Sequence, residues 1–158
     1  FYISFSIVAL IYFLDRLTKI YVIQLDKNNL GSDIFNSAYL NIILIWNKGI
    51  AFGLFSFDES HLYNILSLII SIIVVILVIM SLKSHGFKRY SLLMIVGGAL
   101  GNLHDRIFFN AVPDFIDFHV GNFHWFIFNV SDIFITLGVI SMIILELADN
   151  KTEKQNND

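Results

Sequence analysis

From Leu62 to Leu82 the chain runs for 21 residues without one charged side chain. A helix rising 1.5 Å per residue would there reach about 30 Å, the thickness of bilayer hydrocarbon. A buried helix of a water-soluble core rarely needs a charge-free run that long, so the chain reads as an integral membrane protein. Composition agrees: 56% of residues are hydrophobic and 15% charged, against about 25% charged in soluble domains. The absence of cysteine removes disulfides, thiol nucleophiles and thiolate metal ligands. A net charge of only −3 argues against a nucleic-acid partner.

Three more apolar stretches accompany this run, giving expected spans at about 1–23, 62–82, 90–106 and 126–147. No basic stretch precedes Phe1–Leu14 and no small-x-small site follows it, so it reads as a retained helix rather than a signal peptide. The segment from about 24 to 61 mixes Asp, Asn, Gly and Ser with β-type runs such as Tyr39–Trp46, which suits a small extramembrane sheet. Residues 1–148 form one membrane domain in this reading, and 149–158 a polar, disordered cytoplasmic tail. Lys83, Lys88 and Arg89 lie in the short second loop, and Lys151 and Lys154 in the tail. The positive-inside rule then puts both termini in the cytoplasm and both long loops outside. Gly97 and Gly101 make a small-xxx-small pair, a feature of close helix packing rather than chemistry.

A charge at the bilayer centre costs about 2.5–3.5 kcal/mol, so polar residues in these stretches need a reason. Asp15 and Lys19 are four apart and share a helix face with Thr18; an interfacial ion pair and a strut beside a site are both open. Asn47, Lys48 and Gly49 end a β-like run, where a turn is the plainer reading. Asn102 and Asp105 face one side at the end of the third span, beside Arg106. Asn129 and Asp132 share a face at the start of the fourth, where an acid also serves as a helix cap. Each cluster is weak alone. Together with Asp114 they gather at one level, near the outer face. Crowded carboxylates in low dielectric cannot all ionise, and one pKa rises while another group stays charged. Such a pair can hold a water between a general base and a general acid.

At these residues the sequence resembles the lipoprotein signal peptidase family, also called signal peptidase II. The resemblance rests on D-x-x-T-K at Asp15–Lys19, N-x-G-x-A-F-G at Asn47–Gly53 and G-N-x-x-D-R at Gly101–Arg106. V-P-D-F at Val112–Phe115 and F-N-V-x-D at Phe128–Asp132 complete it. It implies an all-α membrane fold of four transmembrane helices, a small periplasmic β-cradle from the first long loop, and a short periplasmic helix in the third. It implies an aspartic endopeptidase with Asp114 and Asp132 as the catalytic pair. Asn47, Gly49, Asn102, Arg106 and Asn129 would line or shape the cleft, with Asp15, Lys19 and Asp105 supporting them. The implied substrate is a diacylglyceryl-modified prolipoprotein, cut on the N-terminal side of its lipidated cysteine. Membrane lipids are the other partners, globomycin the inhibitor, and the inner membrane the location. No metal or cofactor is implied, and a monomer is expected. Ser131 stands where the family usually has alanine, and His104 where an aliphatic or aromatic residue is usual.

Other readings differ in what they require. A metalloprotease would use Asp117 and His119 with His104 and His124, but no H-E-x-x-H helix is present. A non-enzymatic proton pathway or transporter subunit would spread its acids through the bilayer depth. Aspartyl proteases of the presenilin or prepilin-peptidase kind carry a Gly-x-Gly-Asp signature that this chain lacks.

Overall fold

The computed structural model describes residues 2–29, 33–49 and 60–157. Four long helices, α1 (Tyr2–Asn28), α2 (Ser60–Lys83), α3 (Gly86–Phe109) and α4 (Val130–Asn157), accompany four strands. The strands are β1 (Phe35–Asn36) and β2 (Leu40–Asn47) between α1 and α2, then β3 (Val112–Val120) and β4 (Phe123–Phe128) between α3 and α4. Among the described residues three helical stretches are long and apolar enough to cross a membrane: Tyr63–Lys83, Gly86–Phe109 and Val130–Asp149. Helix α1 is long enough but carries Asp15, Arg16 and Lys19 in its middle, so it has no comparably charge-free apolar stretch.

Helix α3 packs against each of the other three helices. Glycine permits this closeness. A Cβ at Gly97 would lie 2.9 Å from Ile11 Cβ of α1, and one at Gly98 would land on the Ser131 carbonyl of α4. At Gly101 it would meet both Ser131 Oγ and, at 2.6 Å, Asp15 Oδ2. Gly97 and Gly101 thus share the face that receives α1, as small-xxx-small spacing requires. Away from these contacts α2 exposes Ile65, Leu68, Ile69, Ile72, Ile73, Val75, Ile76 and Ile79. That surface suits lipid and not water.

The sheet runs β1-β2-β3-β4, all antiparallel. The third loop therefore supplies half of it, and the short helix expected there does not form. The residues explain the difference. Asn110 ends α3 in the left-handed conformation (φ 53°), after which Val112–Val120 and Phe123–Phe128 are rich in β-branched and aromatic side chains. Gly121, at φ 59°, makes the tight turn between them. Pro113 is tolerated in β3 because β4 pairs with that strand only from Ile116 onward. The fourth helix begins later than expected, since 123–128 is strand. It also runs on through Asn157 where a disordered tail was expected; no Gly or Pro interrupts 149–157, and Lys, Glu and Gln favour helix. The first helix likewise extends past residue 23. By connectivity, the sheet lies at the end of the bundle where α1 and α3 finish and α2 and α4 start.

Candidate active site

Strand β3 enters the sheet directly from α3, and its first residues, Val112, Pro113, Asp114 and Phe115, are buried. Asp114 lies opposite Ile45 of β2 and is 3% exposed. Asp132, 6% exposed, sits in the first turn of α4. Asn129, fully buried, joins the two carboxylates. Its Nδ2 donates to Asp114 Oδ1 at 2.6 Å, and its backbone N–H donates to Asp132 Oδ2 at 3.2 Å. Its Oδ1 accepts the Asp132 backbone N–H at 3.1 Å. The last two bonds form a reciprocal capping box at the start of α4, with Asn in the Ser/Thr position and Asp in the Glu position. The same side chain therefore caps a helix and holds an acid from a strand.

Asn47 Nδ2 donates to the other oxygen of Asp114 at 2.8 Å, and Asn102 Nδ2 donates to Asp132 Oδ1 at 2.8 Å. The orientation of all three amides is fixed by chemistry. Asn47 Oδ1 accepts the Gly49 N–H, Asn129 Oδ1 the Asp132 N–H, and Asn102 Oδ1 the Lys19 ammonium. Those partners can only donate, so each NH2 must point at a carboxylate. Burial and the neighbouring charge of Asp132 push the Asp114 carboxyl up to about 6, against the opposing pull of the Asn47 and Asn129 donors.

Beneath this shell lies a buried ionic cluster. Lys19 Nζ reaches Asp15 Oδ2 at 2.9 Å, Asp105 Oδ2 at 2.7 Å and Asn102 Oδ1 at 2.9 Å, which uses all three of its donors. Arg16 spans the same two acids, at 3.0 Å from Asp15 and 2.6 Å from Asp105. Two acids and two bases leave the cluster neutral. Asp15 Oδ1 also accepts the Ser131 N–H at the start of α4. The i, i+4 spacing foretold the Asp15–Lys19 pair, while Arg16 carried no such signal. Asp105 turns to α1 and not to its neighbour Arg106, whose guanidinium donates to the carbonyls of Gly49 and Asn102. Ala51, Phe52 and Gly53 of the second motif lie outside the described residues.

Beside Asp132 a groove of about 270 Å³ is walled by Trp125, Phe128, Ile133, Thr136 and Leu137, so one carboxylate borders an apolar surface along α4. Asp117, His119 and His124 cluster elsewhere on the sheet, with His124 Nδ1 2.9 Å from Asp117 and the two imidazoles stacked. His104 is apart from them on α3, 2.8 Å from the Tyr12 hydroxyl. Among the described residues no three His, Cys, Asp or Glu side chains are grouped to hold a metal ion. Ser131 Oγ is buried without a hydrogen-bond partner among the described residues, and no role follows from it.

A sequence profile described as Signal peptidase (SPase) II matches residues 7–148. The lipoprotein signal peptidase of Pelagibacter ubique (strain HTCC1062) is 48% identical over 158 residues, covering 99% of this chain and 95% of that one. That of Anaplasma phagocytophilum (strain HZ) is 45% identical over 136 residues, or 85% of each chain. Among solved structures, a bacterial membrane enzyme determined by the in meso method at 2.3 Å superposes with a TM-score of 0.76. It is 29% identical over 94% of this chain and 90% of that one. A second, at 1.9 Å, gives 0.75 and 31% identity over 92% and 93%.

Proposed function

The chain belongs to the signal peptidase II family, with the activity of a lipoprotein signal peptidase, and on that premise we propose that it cuts by an aspartic mechanism with Asp114 and Asp132 as the reacting pair. The observation carrying this is the Asn129 bridge, which ties two buried carboxylates from separate elements into one hydrogen-bonded unit. One carboxylate, ionised, takes a proton from a water that attacks the carbonyl carbon before the lipidated cysteine. The other, protonated, hydrogen-bonds the carbonyl oxygen as negative charge develops there. The tetrahedral carbon then expels the cysteine nitrogen, which takes up a proton. The signal peptide leaves with a carboxylate and the lipoprotein keeps a free amine.

Diacylglyceryl-prolipoprotein is the substrate in this reading, and the groove beside Asp132 supports it by offering an apolar wall to acyl chains. Asn47, Asn102 and Asn129 hold the pair, while Arg106 fastens the Gly49 turn over it. Asp15, Lys19 and Asp105 support from below. In the same proposal α1 is a fourth span within a single membrane domain. Its charges cancel against Asp105 inside the bundle, while Phe5, Leu10, Phe13, Leu17 and Ile20 face outward. Four crossings and the basic second loop put both termini in the cytoplasm and the sheet outside the inner membrane. Globomycin is the inhibitor to use, and a monomer the working unit. The proton-pathway alternative gains no support, since the buried acids gather toward one end of the bundle.

The test is purified protein in detergent with a lipidated precursor and its unlipidated twin. Wild type should cut only the first, in the presence of chelator as well. Asp114→Asn and Asp132→Asn should each abolish turnover, and the double change should cost little more, as for residues acting as a unit. Substantial turnover by either folded single variant removes that residue from the pair.

A further inference from the structure

We propose that the groove between α1 and α3 holds a glycerophospholipid of the outer leaflet, with one acyl chain between the helices and an ester oxygen accepting a hydrogen bond from the Tyr12–His104 pair. The inference rests on α1 being a membrane span, as read above. The groove has a volume of about 410 Å³, and Val8, Ala9, Leu100 and Leu103 are among its walls. Tyr12 and His104 are its only polar wall residues among the described ones. It shares no residue with the groove beside Asp132.

The polar pair has one donor too many. Tyr12 Oη lies 2.8 Å from His104 Nδ1, and neither side chain makes another hydrogen bond among the described residues. A tyrosine hydroxyl carries one hydrogen, and a neutral imidazole one. If the hydroxyl donates, His104 Nε2–H is left over; if Nδ1–H donates, the tyrosine O–H is left over. Either tautomer leaves one donor, and a protonated ring would only add another. The imidazole is held by Phe108, 4.5 Å away between centroids, and by the Tyr12 ring, edge-on at 5.8 Å. Both residues are half-buried, and an unmet donor in hydrocarbon is costly. What covers them must bring an oxygen acceptor on an otherwise apolar body.

Depth selects a lipid. In the topology read above, α1 and α3 both run outward. The walls extend over Phe5–Phe13 of α1 and Leu100–Phe108 of α3, each about 12 Å long at 1.5 Å per residue. That is close to the hydrocarbon of one leaflet, about 15 Å, and well short of two. His104 lies about 7–8 Å before the end of α3 at Phe109. Phe109 there meets Trp46 of β2, with centroids 5.9 Å apart, and an exposed tryptophan suits the headgroup level. The polar pair thus stands just beneath the headgroups, where ester groups join acyl chains to glycerol. The substrate's own lipid fits less well. It is joined to the cysteine beside the bond to be cut, whereas His104 is two residues from Asn102, the partner of Asp132, and so points to another side of α3.

The test is the full chain in bilayer nanodiscs of diester phosphatidylethanolamine and phosphatidylglycerol. A trace of the same lipid carries a photoactivated diazirine in one acyl chain, and labelled peptides are mapped by mass spectrometry. Labels should concentrate on Phe5–Phe13 and Leu100–Phe108, well above the lipid-facing side of α2, and excess diester lipid should remove them better than a diether analogue. Tyr12→Phe/His104→Leu removes the polar pair from a lipid-facing surface, so it should fold and cut lipidated precursor normally. It should lower the excess label about three- to ten-fold, the range for one hydrogen bond. Equal labelling of α1, α3 and α2 in wild type, or an excess untouched by the double change, overturns the inference. So does competition by lipidated precursor in place of phospholipid, which would give the groove to substrate. The chain has no cysteine, so a disulfide between copies carrying Leu103→Cys would give the groove to a second copy and overturn it too. If α1 is not a span, the probe labels α2 and leaves Phe5–Phe13 unlabelled, which separates failure of that reading from failure of this one.

Discussion

Replacing Asn129 in two ways separates its work as a helix cap from its work on the acid pair. Asn129→Ala removes two side-chain bonds, from Asp132 N–H to Oδ1 and from Nδ2 to Asp114. Loss of an N-cap costs about 1 kcal/mol, and loss of a hydrogen bond to a carboxylate about 1.5–3 kcal/mol. The alanine variant should therefore be less stable by about 2–4 kcal/mol, with the larger figure above pH 6, where Asp114 is ionised and the donor matters most. Asn129→Ser keeps an oxygen at the cap, and serine is as good an N-cap as asparagine. It cannot reach Asp114, so it should recover about 1 kcal/mol of the loss while leaving that carboxyl without one donor. Removing a donor that favours the ionised form moves the Asp114 titration further up from about 6. Both variants should lose about 100-fold in kcat through misalignment of the pair, despite their different stabilities. The assay is thermal unfolding in detergent at pH 5 and 7.5 together with cleavage of lipidated precursor. A serine variant cutting at the wild-type rate would show that Asn129 is a cap and nothing more. An alanine variant as stable as wild type would refute the capping box.

Asp105→Asn unbalances a buried cluster in which Arg16 and Lys19 both depend on that acid; it should destabilise by about 3–5 kcal/mol and lower folded yield and rate together. A well-folded Asp105→Asn protein that binds substrate normally without turnover would instead put Asp105 in the reacting pair. Asp114→Asn should be more stable than wild type at pH 7.5. A carboxyl raised from 3.8 to about 6 favours the folded state fully below pH 4 and loses that contribution as pH rises through 6, at most about 3 kcal/mol; thermal unfolding from pH 4 to 8 would show the two proteins converging at the acid end, and parallel curves would refute it. Cysteine placed at Ser84 should react with an impermeant reagent only after the inner face is opened, and at Asn122 from outside; the reverse order would overturn the orientation.

How far the sequence reached follows from the range of each signal. The span Leu62–Leu82 was legible because lipid sets both its length and its chemistry, with no partner required. Pairs on one helix were legible too: Asp15 with Lys19 by i, i+4, and Asn129 with Asp132 by i, i+3. Contacts between elements were not, because nothing local in α1 says that Lys19 will meet Asn102 and Asp105 on α3. The glycines came closest to saying so. Gly97 and Gly101 announced a close helix neighbour, and α1 is the helix that Ile11 and Asp15 bring against them. The β3–β4 hairpin was misread because two kinds of residue are interleaved in one strand. Asp114 and Asp117 are poor β formers, and Asp114 takes the place of an apolar residue in the alternation that Ile116, Phe118 and Val120 continue. Both acids are buried, Asp114 among asparagines and Asp117 against His124. A strand that carries a buried acid departs from the apolar-in, polar-out rule at that residue. The misread segment and the candidate catalytic acid therefore coincide at Asp114, as expected where a site overrides local preference.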